Sequence, residues 1–442
     1  MRRVLPFVIL LLIVSSGCPR NPDPIVRALR YLENTQVSNA DAARLRGTGT
    51  TDYAGNWPQE FHFASAPNVR FREVSPFVVA FIHHALTLIN EDSMEDLGLS
   101  PQEVASARTM RRRAVEFLQR FESDPGSPEA GTYGFWPYDP EPNAAETPVQ
   151  QIALAVLQGP LLEGNRVPAN VAIYPHALGI PPDADVTATT YAALLADGTL
   201  DGGPGVAGEP SHFFSDWTDT GAVPLRRMAD WLPEDSGAFL TWLNYKNPPD
   251  LTIPNDVDLV VNANVLHALA LLGESATPGF DAAVDLINAV VAQGLHQTRY
   301  DEITDYYPDS YVFHYCVSRA YHDGSIPGLA PAVEMLADEI EQEALELPGG
   351  LAYWDRGDRA LNTAFAVLTL LNAGRDINLI DRGIHYLTAI QSPVSGGWDE
   401  SVFFIANTDG GPEIHWVSEA VTTAFALESL CRYRSLSYNP PK

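Results

Sequence analysis

Cysteine is scarce in this chain, which has three cysteines among 442 residues. Cys316 and Cys431 lie in apolar segments far apart in the sequence, and Cys18 follows an apolar N-terminal run. No Cys-x-x-Cys pair occurs, so the sequence excludes a zinc ribbon and a thioredoxin-type redox centre. Cys316 and Cys431 are equally consistent with one disulfide in an oxidising compartment and with two buried thiols.

Positive charge is also scarce. The chain has 27 Lys and Arg residues against 56 Asp and Glu residues, a formal net charge of −29. Such a surface repels nucleic acid and anionic lipid head groups, so we expect no nucleic-acid partner. A hydrophobic fraction of 45% with only 19% charged residues predicts a folded chain and excludes general disorder.

Several motifs of common enzyme chemistry are missing. The chain has no phosphate-binding P-loop and no nucleophile elbow. The segment Gly47-Thr48-Gly49-Thr50-Thr51-Asp52 begins like a dinucleotide fingerprint. It ends in Asp and follows no strand pattern, so the sequence predicts no dinucleotide cofactor.

The N-terminus has the pattern of an export signal. Two arginines precede an apolar run from Val4 to Val14, which is too short to span a bilayer as a mature helix. Small residues stand directly before Cys18, as in a bacterial lipobox. We therefore expect a signal peptide over residues 1–17, a lipidated Cys18 and a short tether over residues 18–24. The alternative is an ordinary secretory signal with an incidental Cys.

This reading predicts a protein of the bacterial cell envelope. An acyl chain on Cys18 would anchor it to a lipid bilayer. Pro19, where an Asp would favour retention at the inner membrane, favours the outer membrane. The location that we expect is periplasm-facing or on the outer membrane.

The rest of the chain alternates between two kinds of helical segment. One kind is apolar almost all round, which predicts buried helices, and the other has a charged face, which predicts surface helices. The expected inner helices are Phe77–Asn90, Val186–Ala196, Leu259–Leu272, Tyr311–Tyr321, Leu361–Asn372 and Val421–Arg432. The expected outer helices are Ile25–Gln36, Arg108–Glu122, Val223–Tyr245, Phe280–Gln293, Ala330–Glu343 and Ile377–Gln391.

Six such pairs predict an all-α fold, an (α/α)6 toroid formed by one domain over residues 25–442. A loop-rich insertion around residues 137–220 interrupts it and contains only one expected inner helix. Long loops of this kind in compact domains usually have a function.

A sequence signature recurs at the ends of the outer helices. The clearest copy runs from Arg382-Gly383 through Tyr386-Leu387 and Gln391 to Gly396-Gly397-Trp398. Looser copies lead from Arg27 to Trp57 and from Arg113 to Trp136. This signature resembles the QW-type repeat. The chain thereby resembles the superfamily of α/α toroids that contains squalene–hopene cyclases, other class II terpene cyclases and protein prenyltransferase β subunits.

Acidic residues gather where the expected inner helices begin. Because all inner helices of a toroid run the same way, these residues should converge on one rim. Helix capping explains one Asp per helix, but not the second Asp in each of two Asp-x-Asp pairs. A shared pocket of such acids predicts that at least one has a raised pKa. The candidate ligand-binding residues at this rim are Asp256, Asn262, Asn264, His267, Trp354, His415, Trp416 and Glu419, and the candidate catalytic residues are Asp183, Asp185 and Asp258.

One of the two pairs resembles a catalytic motif. Asp183-Ala184-Asp185-Val186 is similar to the DxDD motif of squalene–hopene cyclases, whose middle Asp protonates a substrate double bond. The resemblance implies that Asp185 is the acid and Asp183 its flanking carboxylate. Val186 stands where the motif has its last Asp. The resemblance therefore implies an apolar ligand in the lumen more firmly than it implies cyclase chemistry.

No metal site is predicted. The zinc site of prenyltransferases uses an Asp-x-Cys pair, and this chain has His314-Tyr315-Cys316 at that spacing. Residues two apart on a helix point to different faces, so His314 and Cys316 should not share an ion. We expect no cofactor, with calcium the cation that would suit the oxygen ligands of the acidic rim.

Three functions remain open from the sequence, and so does the question of whether the chain is an enzyme. The first is binding of an apolar or amphipathic ligand in a central cavity, with or without its chemical transformation. The second is a carbohydrate-active or glycan-binding protein with Asp185 and Asp258 as its carboxylate pair. The third is a non-catalytic scaffold. A dry aromatic lumen favours the first function, and a wet cup with exposed Trp favours the second.

Overall fold

A computed structural model describes residues 22–40, 53–124, 126–135, 181–200, 210–223, 225, 229–243, 255–406 and 413–438. The expected signal peptide and Cys18, most of the tether, Trp136 and much of the insertion lie outside these residues. Within them, no helix combines the length and the apolar character needed to cross a membrane.

Six buried helices form a closed inner ring, as the sequence predicts. Each helix packs against the next, and the sixth packs against the first. The inner helices are α2 (Pro76–Thr87), α4 (Ala184–Ala196), α6 (Leu259–Leu271), α10 (Val312–His322), α12 (Arg359–Asn372) and α14 (Glu419–Tyr438). Side-chain caps define where several begin, since Ser75, Asp183 and Asp258 each accept a hydrogen bond from a free helical N–H.

The outer helices pack on the outside of this ring. Five of the expected ones are present: α1 (Pro24–Thr35), α3 (Pro101–Leu118), α7 (Phe280–Ala292), α11 (Ala330–Glu343) and α13 (Ile377–Ile390). Two short helices, α8 (Leu295–Thr298) and α9 (Tyr300–Ile303), follow α7. Ser100 and Glu103 form a capping box at the start of α3, which fixes that end.

The expected outer helix Val223–Tyr245 is wrong. Its described residues form turns and isolated bridges, with Gly237 at φ +71°. Pro233 and the positive φ of Gly237 are both incompatible with a continuous helix. The short helix α5 (Pro210–Asp216) instead packs against the third inner helix, α6.

A small sheet covers part of one rim and was not predicted. Its order is β2-β1-β6-β5, with every neighbouring pair antiparallel. The strands are β1 (Gln59–Phe63), β2 (Ala66–Glu73), β5 (Ser401–Ala406) and β6 (Ile414–Ser418). A separate hairpin, β3 (Leu345–Leu347) and β4 (Leu351–Tyr353), follows α11. Because β2 and β6 lead directly into α2 and α14, the four-stranded sheet lies where the inner helices begin.

The recurring Trp residues share one set of contacts. The indole N–H groups of Trp57 and Trp398 donate to the carbonyls of Leu32 and Leu387 at 2.9 Å, near the ends of α1 and α13. Trp354 makes the matching bond to Ile340 at 2.7 Å. All three indoles are buried, so they join an outer helix to the loop that leads into the next inner helix.

The glycines of the signature are required by close approaches. A Cβ on Gly383 would lie 2.6 Å from Val367. A Cβ on Gly396, which has φ +85°, would lie 2.6 Å from the carbonyl oxygen of Arg27. The loop after one outer helix therefore packs directly on the backbone of the outer helix at the other end of the described chain, which closes the toroid.

Candidate functional site

The pair Asp183 and Asp185 begins the second inner helix, α4. Asp183 is the cap, and its Oδ1 accepts a hydrogen bond from the N–H of Val186 at 2.6 Å. Asp185 lies in the first turn and is not used as the cap. Both side chains are buried, with exposed fractions of 6% and 5%. Capping therefore explains Asp183 but leaves Asp185 to be explained by something else.

Asp185 is the centre of a hydrogen-bond network between inner helices. Its Oδ1 accepts from Asn264 Nδ2 at 2.6 Å, and its Oδ2 accepts from the Tyr307 hydroxyl at 2.5 Å. Asn264 Oδ1 in turn accepts from the Arg319 guanidinium at 2.6 Å. This chain fixes the orientation of the Asp185 carboxyl, and it joins α4, α6 and α10.

Burial raises the pKa of Asp185 to about 6, against the opposing effects of Tyr307, Asn264 and Arg319, which stabilise the carboxylate. Burial likewise raises the pKa of Tyr307 well above 10, so its hydroxyl stays a donor. An acid with a pKa near 6 is partly protonated close to neutral pH. Asp185 therefore meets one requirement of a general acid, which is a pKa near the pH at which the protein works.

Aromatic rings line the lumen beside this network. Phe403 on β5 lies at the centre, because its ring centroid is 5.6 Å from Phe77 and 5.2 Å from Phe81 of α2, and 5.4 Å from Phe425 of α14. The ring of Tyr307 meets that of Phe403 edge-on at 6.1 Å. The part of the lumen beside Asp185 is therefore aromatic, and Tyr307 connects Asp185 to it.

The second pair, Asp256 and Asp258, has structural partners. Asp258 Oδ1 accepts from the N–H groups of Val260 and Val261 at 2.8 and 3.0 Å. Its Oδ2 accepts from the Thr304 hydroxyl at 2.6 Å and from the N–H of Asp305 at 3.0 Å. A carboxylate has about four acceptor positions, and these four bonds use them all.

Asp256 and Asn262 fix loops around the same helix start. Asp256 Oδ2 accepts from the Tyr306 hydroxyl at 2.6 Å. Asn262 is fully buried, accepts from the N–H of Phe239 at 2.9 Å and donates to the carbonyls of Phe239 and Asp258. Asp256 and Asp258 line a small recess with Thr304, whereas Asp185 and Asn262 do not line it.

A buried polar group occupies the lumen beyond the aromatic layer. His267 of α6 lies with its ring 6.0 Å from that of His84. Burial lowers the pKa of His267 well below its ordinary value, helped by the positive charge of Arg319. Arg432 donates to Glu428 at 2.9 Å, and Glu428 also accepts from Tyr315 at 2.9 Å. His267 thus adjoins this charged group through His84, whose Nε2 lies 3.5 Å from Glu428.

The remaining candidates lie elsewhere on the rim. His415 and Trp416 are on β6, where His415 pairs with Glu413 and Trp416 stacks on Phe404 at 4.5 Å. Glu419 starts α14 and accepts from the Tyr31 hydroxyl at 2.9 Å. Trp354 is the buried indole described above. Its hydrogen bond to Ile340 is equivalent to those that Trp57 and Trp398 make at their own outer helices. The structure therefore joins Asp185 to Asn264. Trp416 adjoins the aromatic group, because the ring of Phe404 also lies 5.1 Å from that of Phe77, whereas His415, Glu419 and Trp354 make separate contacts.

Three residues of the site were not among the sequence candidates. Tyr307 and Phe403 lie in loop and strand segments with no helical pattern, and Arg319 is a lone charge within an apolar helix. Arg319 was the detectable one: a basic residue in an otherwise buried helix needs partners. It has Asn264 as a hydrogen-bond acceptor and lies over the rings of Phe81 and Tyr315, at 4.9 and 5.4 Å.

No protein-family model matches this chain, and no curated protein matches its sequence. Solved structures do match. One is a single-residue variant of the type II terpene cyclase MstE from Scytonema in complex with the substrate geranylgeranyl dihydroxybenzoate, at 16% identity with a TM-score of 0.51. The match covers 93% of this chain and 99% of that one. The chain has the α/α-toroid fold of type II terpene cyclases.

Other solved structures match this chain as well. The ligand-free form of MstE matches at 15% identity with a TM-score of 0.50, over 92% of this chain and 96% of that one. A protein from Actinoplanes matches at 14% identity and a TM-score of 0.51, over 93% of this chain and 98% of that one. At identities this low, the likeness shows that the folds are similar and nothing more.

Proposed function

We propose that the lumen binds an isoprenoid chain and that Asp185 is the acid that protonates it. The observation that carries the proposal is a buried, oriented carboxyl with a pKa of about 6 beside a wall of aromatic rings. Aromatic faces bear partial negative charge and stabilise cations, which suits a reaction through carbocations.

The chemistry that the residues support is proton transfer to an alkene. The protonated Asp185 carboxyl gives its proton to one carbon of a terminal double bond, which leaves a cation on the more substituted carbon. A second double bond of the same chain attacks that cation and closes a ring. Loss of a proton from the last cation to solvent beyond the aromatic layer gives a product isomeric with the substrate, and Asp185 regains its proton from solvent.

The network around Asp185 supports this role. Arg319 and Asn264 orient the carboxyl through Oδ1, and Tyr307 contacts Oδ2. Preorganised dipoles that need no rearrangement during the reaction are an efficient form of electrostatic catalysis. The aromatic layer excludes water, which would otherwise capture the cation.

The glycan alternative has less support. It needs Asp258 as a second free carboxylate, and Asp258 already accepts four hydrogen bonds from its own helix and the adjacent loop. Trp354 is buried, and Trp416 is 8% exposed and covered by Phe404, so neither offers an open face to a sugar ring.

Incubation with linear isoprenoids tests the proposal. The purified chain is mixed with geranylgeraniol, squalene or geranylgeranyl dihydroxybenzoate, and extracts are analysed by gas or liquid chromatography with mass detection. We expect a product of unchanged mass and shifted retention with at least one substrate. Asp185→Asn should abolish it, while Asp258→Asn, the equally buried acid of the other pair, should retain it if it folds. Product from Asp185→Asn at the wild-type rate would refute the role of Asp185.

We propose in addition that the protein is anchored to the cell envelope through a lipid on Cys18. The support is the apolar run and small residues before Cys18 in the sequence. Membrane fractionation of the wild type and of Cys18→Ser in a Gram-negative host tests this. The variant should leave the membrane fraction, and a membrane-bound variant with a cleaved signal would contradict the anchor.

A further inference from the structure

Three metal-binding side chains meet outside the lumen, between the fourth inner helix and its outer neighbour. His314 comes from α10, Glu339 from α11 and His296 from the short helix α8. All three are buried, with exposed fractions of 0%, 6% and 3%. Their nearest ligand atoms all lie within 4.8 Å of one another.

The spacing of these atoms is close to that of a tetrahedral ion. Two nitrogen or oxygen ligands at about 2.0–2.1 Å from zinc lie roughly 3.3 Å from each other. The distance from His314 Nε2 to Glu339 Oε1 is 3.4 Å. His296 Nε2 is 2.7 Å from Glu339 Oε2, the length of a hydrogen bond, so a small rotation would bring it to ligand spacing.

Unpaired nitrogens give an independent reason to expect an ion. Among the residues that the structure describes, no group forms a well-aligned hydrogen bond with either ring nitrogen of His314, whose Nε2 has Glu339 Oε1 at 3.4 Å, or with Nδ1 of His296. Burying an imidazole without partners is costly, and such groups commonly indicate a bound ion or water. A metal at Nε2 of His314 would give that nitrogen the partner that it lacks here.

The charge around the cluster suits a divalent cation. Arg356 donates to Glu339 and Glu343 at 2.6 and 2.8 Å and to Asp309 at 2.6 Å. Three carboxylates against one guanidinium leave a formal charge of −2 while the histidines are neutral. A divalent ion would bind this charge at its buried member, Glu339, whereas Asp309 and Glu343 are 47% and 40% exposed and are screened by solvent.

We propose that His296, His314 and Glu339 bind one divalent transition-metal ion, with zinc the preferred ion. Two imidazoles and a carboxylate suit zinc, cobalt or nickel, whereas calcium and magnesium prefer oxygen ligands alone. The ion would join α8, α10 and α11, and so hold the inner ring to the outer ring. This role does not depend on the proposed chemistry at Asp185.

Cobalt binding to the full chain tests the site. The protein is stripped with a chelator, dialysed and titrated with Co²⁺ at neutral pH while the visible absorption is recorded. We expect one equivalent to give the bands of four-coordinate cobalt, and Zn²⁺ to remove them. We also expect Zn²⁺ to raise the thermal midpoint, because an ion that binds only the folded state stabilises it.

Variants separate this site from surface binding. His314→Ala and Glu339→Gln should lose the cobalt bands and the zinc-dependent rise in thermal midpoint. His385→Ala is the matched control, since its side chain on α13 is 62% exposed and should leave both unchanged. Wild-type protein with no cobalt bands, or bands that persist in Glu339→Gln and His314→Ala, would overturn the proposal. If one of these variants does not fold, His296→Gln takes its place with the same two readouts.

Discussion

Two Asp-x-Asp pairs begin two neighbouring inner helices, and their roles are reversed. In Asp183-Ala184-Asp185 the first Asp caps α4 and the second lies inside the helix. In Asp256-Val257-Asp258 the second Asp caps α6 and the first lies outside it. Helix α4 therefore starts one residue after the first Asp of its pair, and α6 starts one residue after the second Asp of its pair.

This shift of two residues decides which carboxyl is free for chemistry. Asp185 extends across to Asn264 on the next inner helix and to Tyr307 in the loop before α10, and it accepts a hydrogen bond from each. Asp258 instead uses its acceptor positions on its own helix and on the loop at Thr304. Burial raises the pKa of both acids, to about 6 and about 7, so burial alone does not distinguish them.

The largest effect on stability should come from Asp258→Ala. The change removes the cap of α6 and leaves the Thr304 hydroxyl and the N–H of Asp305 buried without an acceptor. Loss of a cap costs about 0.5–2 kcal/mol, and each unsatisfied buried group adds about 1–3 kcal/mol. We expect the free energy of unfolding to fall by about 2.5–8 kcal/mol in urea titrations at about pH 5. A loss below about 1 kcal/mol would contradict the structural role assigned to Asp258, which distinguishes it from Asp185.

A change of similar size should appear in the pH dependence of Asp185→Asn. The pKa of Asp185 is raised by folding from 3.8 to about 6, so its stabilising effect is complete below pH 4 and is lost as the pH rises to about 6. Two units of pKa correspond to about 3 kcal/mol. We expect Asp185→Asn to gain stability relative to the wild type by roughly that amount between pH 4 and pH 7. Parallel curves for the two proteins would show that Asp185 does not titrate differently on folding.

The smallest of these effects should come from Asp183→Ala. Asp183 makes one side-chain bond to the start of α4, to the N–H of Val186 at 2.6 Å. Loss of that cap should lower the free energy of unfolding by about 1 kcal/mol, as measured in the same urea titrations. A loss as large as that of Asp258→Ala would mean that the two caps contribute equally to the free energy of unfolding.

The sequence predicts the inner ring well because buried helices are apolar on every face. All six predicted inner helices are present with shifts of a few residues. The outer helix expected at Val223–Tyr245 failed because Pro233 and Gly237 interrupt it. The sheet was missed because β1 pairs with β6, more than 350 residues later in the sequence, and short strands have little local signal.

The candidate site was only partly predictable. The acidic rim and Asp185 could be found from spacing, and Asn264 from its place in an apolar helix. The different roles of Asp185 and Asp258 depend on the residue at which each helix begins, which the sequence leaves uncertain by a few residues. From the sequence, Trp354 is among the ligand-binding candidates of the rim. In the structure its indole has the same contacts as Trp57 and Trp398.

The most direct test of the account is the titration of the Asp185 carboxyl itself. Carboxyl carbon-13 NMR of the wild type, compared with Asp185→Asn, identifies the resonance of Asp185 as the one that the variant lacks. The account predicts a midpoint at about pH 6, since burial raises the pKa of this acid. A midpoint near 4, the value of an ordinary exposed Asp, would contradict the claim that Asp185 is a buried acid prepared to give up a proton.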